Sequence, residues 1–200
     1  MNNPQYVKVD GTLYKINTDF RVALECNSIS RDKNIGDYER ALAICYKLFG
    51  DSAFSCENKP RMFELGMQYL SLGNKEKPVK TNSDNKNELD FTKCTGLIKS
   101  SFKFDYQYDP YELEYLHWYD FYNDLLNLST SEFGNCCILN RIVSILNEDI
   151  SKIKDDKRRN LLNEVQIELR KKYCIDQEIK ITKEQEKSAK AFYKSLGIDI

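Results

Sequence analysis

Alternating apolar and polar side chains open the chain. Tyr6-Val7-Lys8-Val9 is followed by Asp10-Gly11 and then Thr12-Leu13-Tyr14-Lys15-Ile16. Period two, β-branched and aromatic types, and an Asp-Gly pair suited to positive φ predict a β-hairpin with a tight turn. A lone hairpin is marginal in water, so one of its faces must lie on helices. From Asn17 the period lengthens. Asn17-Thr18-Asp19-Phe20-Arg21 reads as a helix start, with Phe20, Ala23 and Leu24 on one side. Asp37 is expected to cap a second helix whose stripe is Tyr38, Ala41, Leu42, Cys45, Leu48 and Phe49, ended by Gly50. A third helix starts near Lys59, with Pro60 in its first turn. It turns Met62, Phe63, Gly66, Met67 and Leu70 inward and stops at Gly73.

Residues 74–89 break the pattern. Lys, Asn, Glu, Ser and Thr crowd around Pro78 with almost nothing apolar beyond Val79, and such a segment cannot offset its ordering entropy. It reads as a mobile polar linker between residues 1–73, a hairpin plus three helices, and an all-helical part over residues 90–175. There Asp90 is expected to start a helix with Phe91, Cys94, Ile98 and Phe102 inward. Asp109 and Glu112 form a capping-box pattern around Pro110, predicting a helix from Pro110 to Leu128. Ser129 with Glu132 predicts another helix, through Ile138, Ile142 and Ile145. A charged helix begins near Asp155 with Leu161, Leu162, Val165 and Leu169 on one face. Thr182 with Gln185 caps a weaker last helix within an extension over residues 176–200. The expected fold is mainly α, an N-terminal β-hairpin packed on a bundle of about six to seven helices in one compact domain.

Composition narrows the function classes. In 200 residues, 30 basic side chains nearly cancel 31 acidic ones, which gives no long-range field to draw in nucleic acid or an anionic membrane. The triplets Lys157-Arg158-Arg159 and Arg170-Lys171-Lys172 are interleaved with acids and read as solvated helix faces. No apolar run reaches membrane-spanning length, and no apolar signal segment opens the chain. Seven cysteines never form a Cys-x-x-Cys pair, and a single histidine cannot complete a common zinc set. They read as reduced, structural thiols of a cytosolic protein. The sequence offers no catalytic, cofactor or metal set and no Gly-rich phosphate loop. His117 is the sole candidate for an acid–base residue, and its surroundings read as structural, since one titratable group without convergent partners is not a site.

The densest feature is the ring-bearing run Tyr115, Trp118, Tyr119, Phe121 and Tyr122. These rings span more of a helix circumference than one core stripe needs. They are either a helix buried on two sides or a contact surface rich in hot-spot residue types. The second alternative makes them the candidate partner-binding residues.

The same residues carry a family resemblance. Asp90-Phe91, then Ile98, Phe102, Tyr106 and Asp109, then the block Leu116-His117-Trp118-Tyr119 and Phe121 resemble the bacteriophage gene-product-fifteen family. The hairpin with Ile16-Asn17-Thr18-Asp19-Phe20-Arg21 and the stretch Ser151-Lys152-Ile153-Lys154-Asp155 are also similar, so the likeness covers most of residues 5–175. The chain departs from the pattern where Gln107, Tyr108 and Pro110 replace what is usually Gly-Ile and Leu, and where Tyr119 replaces a second Trp. The resemblance implies a tail-region protein made beside the tape-measure protein. On that reading it is a non-enzymatic tail assembly chaperone in the host bacterial cytoplasm. Its partners would be the tape-measure protein or other tail assembly proteins, with self-association possible, by helix-in-groove packing. The alternatives are a structural component of the tail and, behind it, a host-directed regulatory protein.

Overall fold

In a computed structural model, residues 3–73, 87–130 and 136–175 are described. The hairpin forms as its alternation requires. Strands β1 (Tyr6–Val9) and β2 (Thr12–Lys15) pair antiparallel, with Val9 opposite Thr12, and Asp10 and Gly11 take φ of 47° and 91°. That is the primed turn whose twist matches the strands. Val9 and Ile16 enter the core.

Helix α1 (Phe20–Arg31) is capped by Asp19, whose carboxylate accepts from the Arg21 N–H at 2.8 Å. Helix α2 (Asp37–Phe49) begins one residue after its true cap. Gly36 holds that position, and Glu39 reaches back to the Gly36 N–H at 2.9 Å, so Asp37 is first-turn rather than capping. Tyr38, expected inward, is exposed, because Ile44 rather than the helix start meets the core. A one-turn helix, α3 (Ser52–Ser55), leads to α4 (Lys59–Leu70), where Asn58 caps and Pro60 occupies the first turn. A Cβ on Gly66 would stand 3.0 Å from Leu48 and 3.3 Å from Phe49, so the missing side chain is what lets α4 approach α2. Tyr69 points inward on α4, whereas Met67 lies at the surface.

The expected linker spans residues 74–89. Its residues 74–86 lie outside the described residues, and its last three are held in place. Asn87 bonds the Leu146 carbonyl, and Glu88 pairs with Arg31 at 2.5 Å. Leu89 bridges Cys174. Asp90 does not start a helix: its carboxylate accepts from the Thr92 N–H at 2.8 Å and closes a turn, and α5 runs Thr95–Tyr106. Helix α6 is Trp118–Leu126, α7 is Ile138–Asn147 and α8 is Asp156–Tyr173, capped by Asp155. Ser129 closes a loop by accepting from the Cys137 N–H at 3.1 Å instead of capping α7; its expected partner Glu132 lies outside the described residues, as does the helix expected from Thr182.

The two halves meet in a ring stack. Phe20 of α1 lies 4.3 Å from Phe121 of α6, and Phe121 lies 5.4 Å from Phe102 of α5, centroid to centroid. All three are fully buried. Such parallel aromatic contacts add about 0.5–1.5 kcal/mol each beyond area burial. The chain is mainly helical with an N-terminal hairpin.

Candidate functional site

The aromatic helix is shorter than its sequence pattern. Asp109 does cap a turn: its carboxylate accepts from the Tyr111 N–H at 2.9 Å, and the Glu112 N–H returns to its carbonyl at 3.1 Å. The helix does not propagate, because the next carbonyls are claimed from outside. Arg21 donates to Leu113 O and Glu114 O, and the Phe20 N–H donates to Leu116 O at 3.0 Å. Helical hydrogen bonding therefore starts only at Trp118, and the expected Pro110–Leu128 helix is corrected to a turn followed by α6. The Asp109 carboxylate is buried between Lys99 at 3.6 Å and Lys103 at 3.5 Å.

His117 is the hinge of this arrangement. It pairs with Asp19 in an isolated β-bridge, completed by the Trp118 N–H donating to Thr18 O at 2.8 Å. Its ring caps α6: Nδ1 accepts from the Tyr119 N–H at 3.0 Å, and Nε2 faces the Pro4 carbonyl at 3.3 Å. This geometry fits the neutral tautomer with the proton on Nε2. Both nitrogens are occupied in holding backbone, so neither is aimed at a substrate.

The five expected contact rings separate. Trp118, 6% exposed, donates its indole N–H to Leu70 O at 3.1 Å and belongs to the core, as does Phe121. These two are corrected from contact surface to core: α6 is short, and the N-terminal half covers its second face. Tyr119 is half-buried and stacked on Tyr69 at 5.3 Å, and Tyr122 leans on Trp118 at 5.3 Å. Burial pushes the Tyr69 and Tyr119 phenols up, Tyr69 far above the usual range. Only Tyr115 stands out, 53% exposed, with its hydroxyl 2.6 Å from Thr18 Oγ1.

Tyr115 borders a groove of about 860 Å³ between β2, α1 and the end of α2. Ile16, Val22, Leu48 and Phe49 line it, and Lys47 spans its wall to Glu25 at 2.6 Å. Tyr46 lies on the rim and packs at 5.4 Å against exposed Phe54. Sequence reading missed Tyr46 and Phe54. The available signal was an aromatic off the apolar stripe of α2, but which polar face opens on a groove depends on the partner elements. A slightly larger cleft beside Arg31 is walled by charges that already satisfy one another, such as Arg31 with Glu88 and Arg40 with the Asp32 carbonyl. Among the described residues no group of three or more His, Cys, Asp or Glu is placed to hold a metal ion, and no helix is long and apolar enough to cross a membrane.

The family match covers the residues that build this arrangement. The family described as Bacteriophage Gp15 protein matches residues 1–175, which include the hairpin, the Asp19–His117 bridge and every ring of the stack. The chain belongs to this bacteriophage family. No curated protein and no solved structure matches it significantly. As a family member it is a phage protein whose matched region ends at Ile175, the last described residue.

Proposed function

We propose that this phage protein is a non-enzymatic tail assembly chaperone that binds the tape-measure protein in the host cytoplasm before tail-tube subunits enclose it. One observation carries the reading: Tyr46 and Tyr115 remain exposed on a groove lined by both polar and apolar side chains, with exposed Phe54 packed against Tyr46, although the core already buries three stacked phenylalanines without them. Large aromatics with one polar end are the side chains that anchor protein contacts. The family match supports the phage setting, and the balanced charge supports a protein partner over nucleic acid.

Co-expression with the neighbouring tape-measure protein tests this. The wild-type chain should keep the partner in the soluble fraction. The Tyr46→Ala/Tyr115→Ala double variant should lose that ability at an unchanged melting temperature. A tape-measure protein equally soluble with the double variant, or with no chaperone at all, would defeat the proposal. Mass spectrometry of purified particles distinguishes the structural alternative, for which this chain would be present in stoichiometric amount.

A further inference from the structure

The hairpin has a free edge, and its location is fixed by register. A two-residue turn makes Val9 and Thr12 a hydrogen-bonded pair, and the Ile16 N–H donates to the Gln5 carbonyl at 2.9 Å. Bonded pairs therefore alternate through 5/16, 7/14 and 9/12, and the backbone N–H and C=O of Leu13 and Lys15 point away from β1. Among the described residues those groups meet no partner. The next outward group, the Asn17 N–H, is taken by the Leu48 carbonyl at 2.7 Å, so the end of α2 already continues this edge. The β1 side leans on α4, which leaves β2 as the open strand.

Side chains beside that edge define what would fit it. Leu13 is 66% exposed, and Lys15 shares its face. Lys8, directly opposite Leu13, lies on the same face. Among the described residues neither lysine has an acidic partner, whereas Lys47 across the groove is held by Glu25. Lysines on an edge resist indiscriminate strand pairing, and a carboxylate placed across from one turns that repulsion into selection.

We propose that β2 is a docking edge. An extended acidic–apolar segment of a partner polypeptide adds to Leu13–Lys15 as a third strand, with a carboxylate against Lys15 and an apolar side chain over Leu13. Backbone bonds supply the attachment and the alternating side chains supply the choice, as in β-strand addition generally. The added strand runs toward the groove beside Tyr46. This goes beyond the tape-measure reading and holds for any partner carrying such a segment.

Amide hydrogen exchange read by NMR on the full chain tests it, with a short end-capped peptide alternating valine and glutamate as the probe. The Leu13 and Lys15 amides should slow on saturation, while those of Val9 and Thr12, already bonded, should not change. Lys15→Glu should weaken binding by about tenfold or more, and a valine–lysine peptide should restore binding to that variant. Lack of edge protection at saturating peptide would overturn the proposal. So would equal affinity for Lys15→Glu, or shifts confined to Tyr46 and Tyr115, which would indicate a helix in the groove. Edge protection that grows with protein concentration in the absence of peptide would assign the edge to a second copy instead. None of these outcomes depends on whether the tape-measure protein stays soluble in co-expression.

Discussion

Gln107 ends α5 at φ 63° and ψ 20°, the left-handed region, at the position where the family resemblance places a glycine. An L side chain there costs about 1–2 kcal/mol, so Gln107→Gly should raise stability by about 1 kcal/mol in chemical denaturation. Ten residues on, His117 stands as a cap whose ring binds backbone at both nitrogens. His117→Ala should lose about 1–2 kcal/mol, and His117→Asn, which can still accept from an N–H, should lose less. Equal losses would mean that the ring packs without capping. Trp118→Ala should cost about 3–5 kcal/mol and lower the helical circular-dichroism signal, because it empties a core position. Tyr115→Ala should stay within about 1 kcal/mol, the worth of its bond to Thr18. Burial pushes the Cys26 and Cys94 thiols up to about 12 and the Cys45 thiol up to about 11. The reactive form is the thiolate, so alkylation of the native protein near pH 8 should label half-exposed Cys136 first. Labelling of Cys94 at the same rate would contradict its burial.

Element by element, the sequence is most reliable where the local signal is complete and least where a neighbour intervenes. The Asp10-Gly11 turn and the Asp19, Asn58 and Asp155 caps follow from short-range chemistry, whereas the close α4–α2 approach at Gly66 is a contact between helices. The Asp109 capping pattern misled, because Arg21 and Phe20 bind the carbonyls that would have continued the helix. Helix α8 misled differently. Its four leucine and valine positions suggest an apolar face, yet Leu161 is exposed and the buried side chain is Gln166. Gln166 donates to the Ile145 and Glu148 carbonyls at 2.8 Å each and accepts from Arg170, which in turn bonds Asn87. This network closes the last carbonyls of α7 and holds Asn87. Gln166→Leu should cost about 1–3 kcal/mol and speed amide exchange in α8, because it strands those carbonyls away from water.

Across the whole molecule, the N-terminal hairpin and helices are locked to the later helices by Phe20, Phe121 and Phe102 and by the Asp19–His117 bridge. Phe20→Ala should therefore lower stability by about 3–5 kcal/mol in one cooperative transition seen equally by tryptophan fluorescence and far-UV circular dichroism. Two separated transitions would show halves that fold apart. Of the candidate site, the sequence made legible the dense aromatic run and which residues compose it; it did not show which rings face outward. The choice between Trp118 in the core and Tyr115 on the surface turns on where helical bonding begins, and a residue distant in sequence sets that start. Tyr46 meets Tyr115 only because β2, α1 and the end of α2 enclose one groove, and Phe54 joins them by packing on Tyr46. Periodicity, turn chemistry and caps are local, acting over one helical turn or one strand pair, so residue order alone determined the mainly helical class, the hairpin and the starts of α1, α4 and α8. Burial, the extent of α6 and the open edge of β2 depend on contacts between elements distant in sequence, and only the tertiary structure decided them.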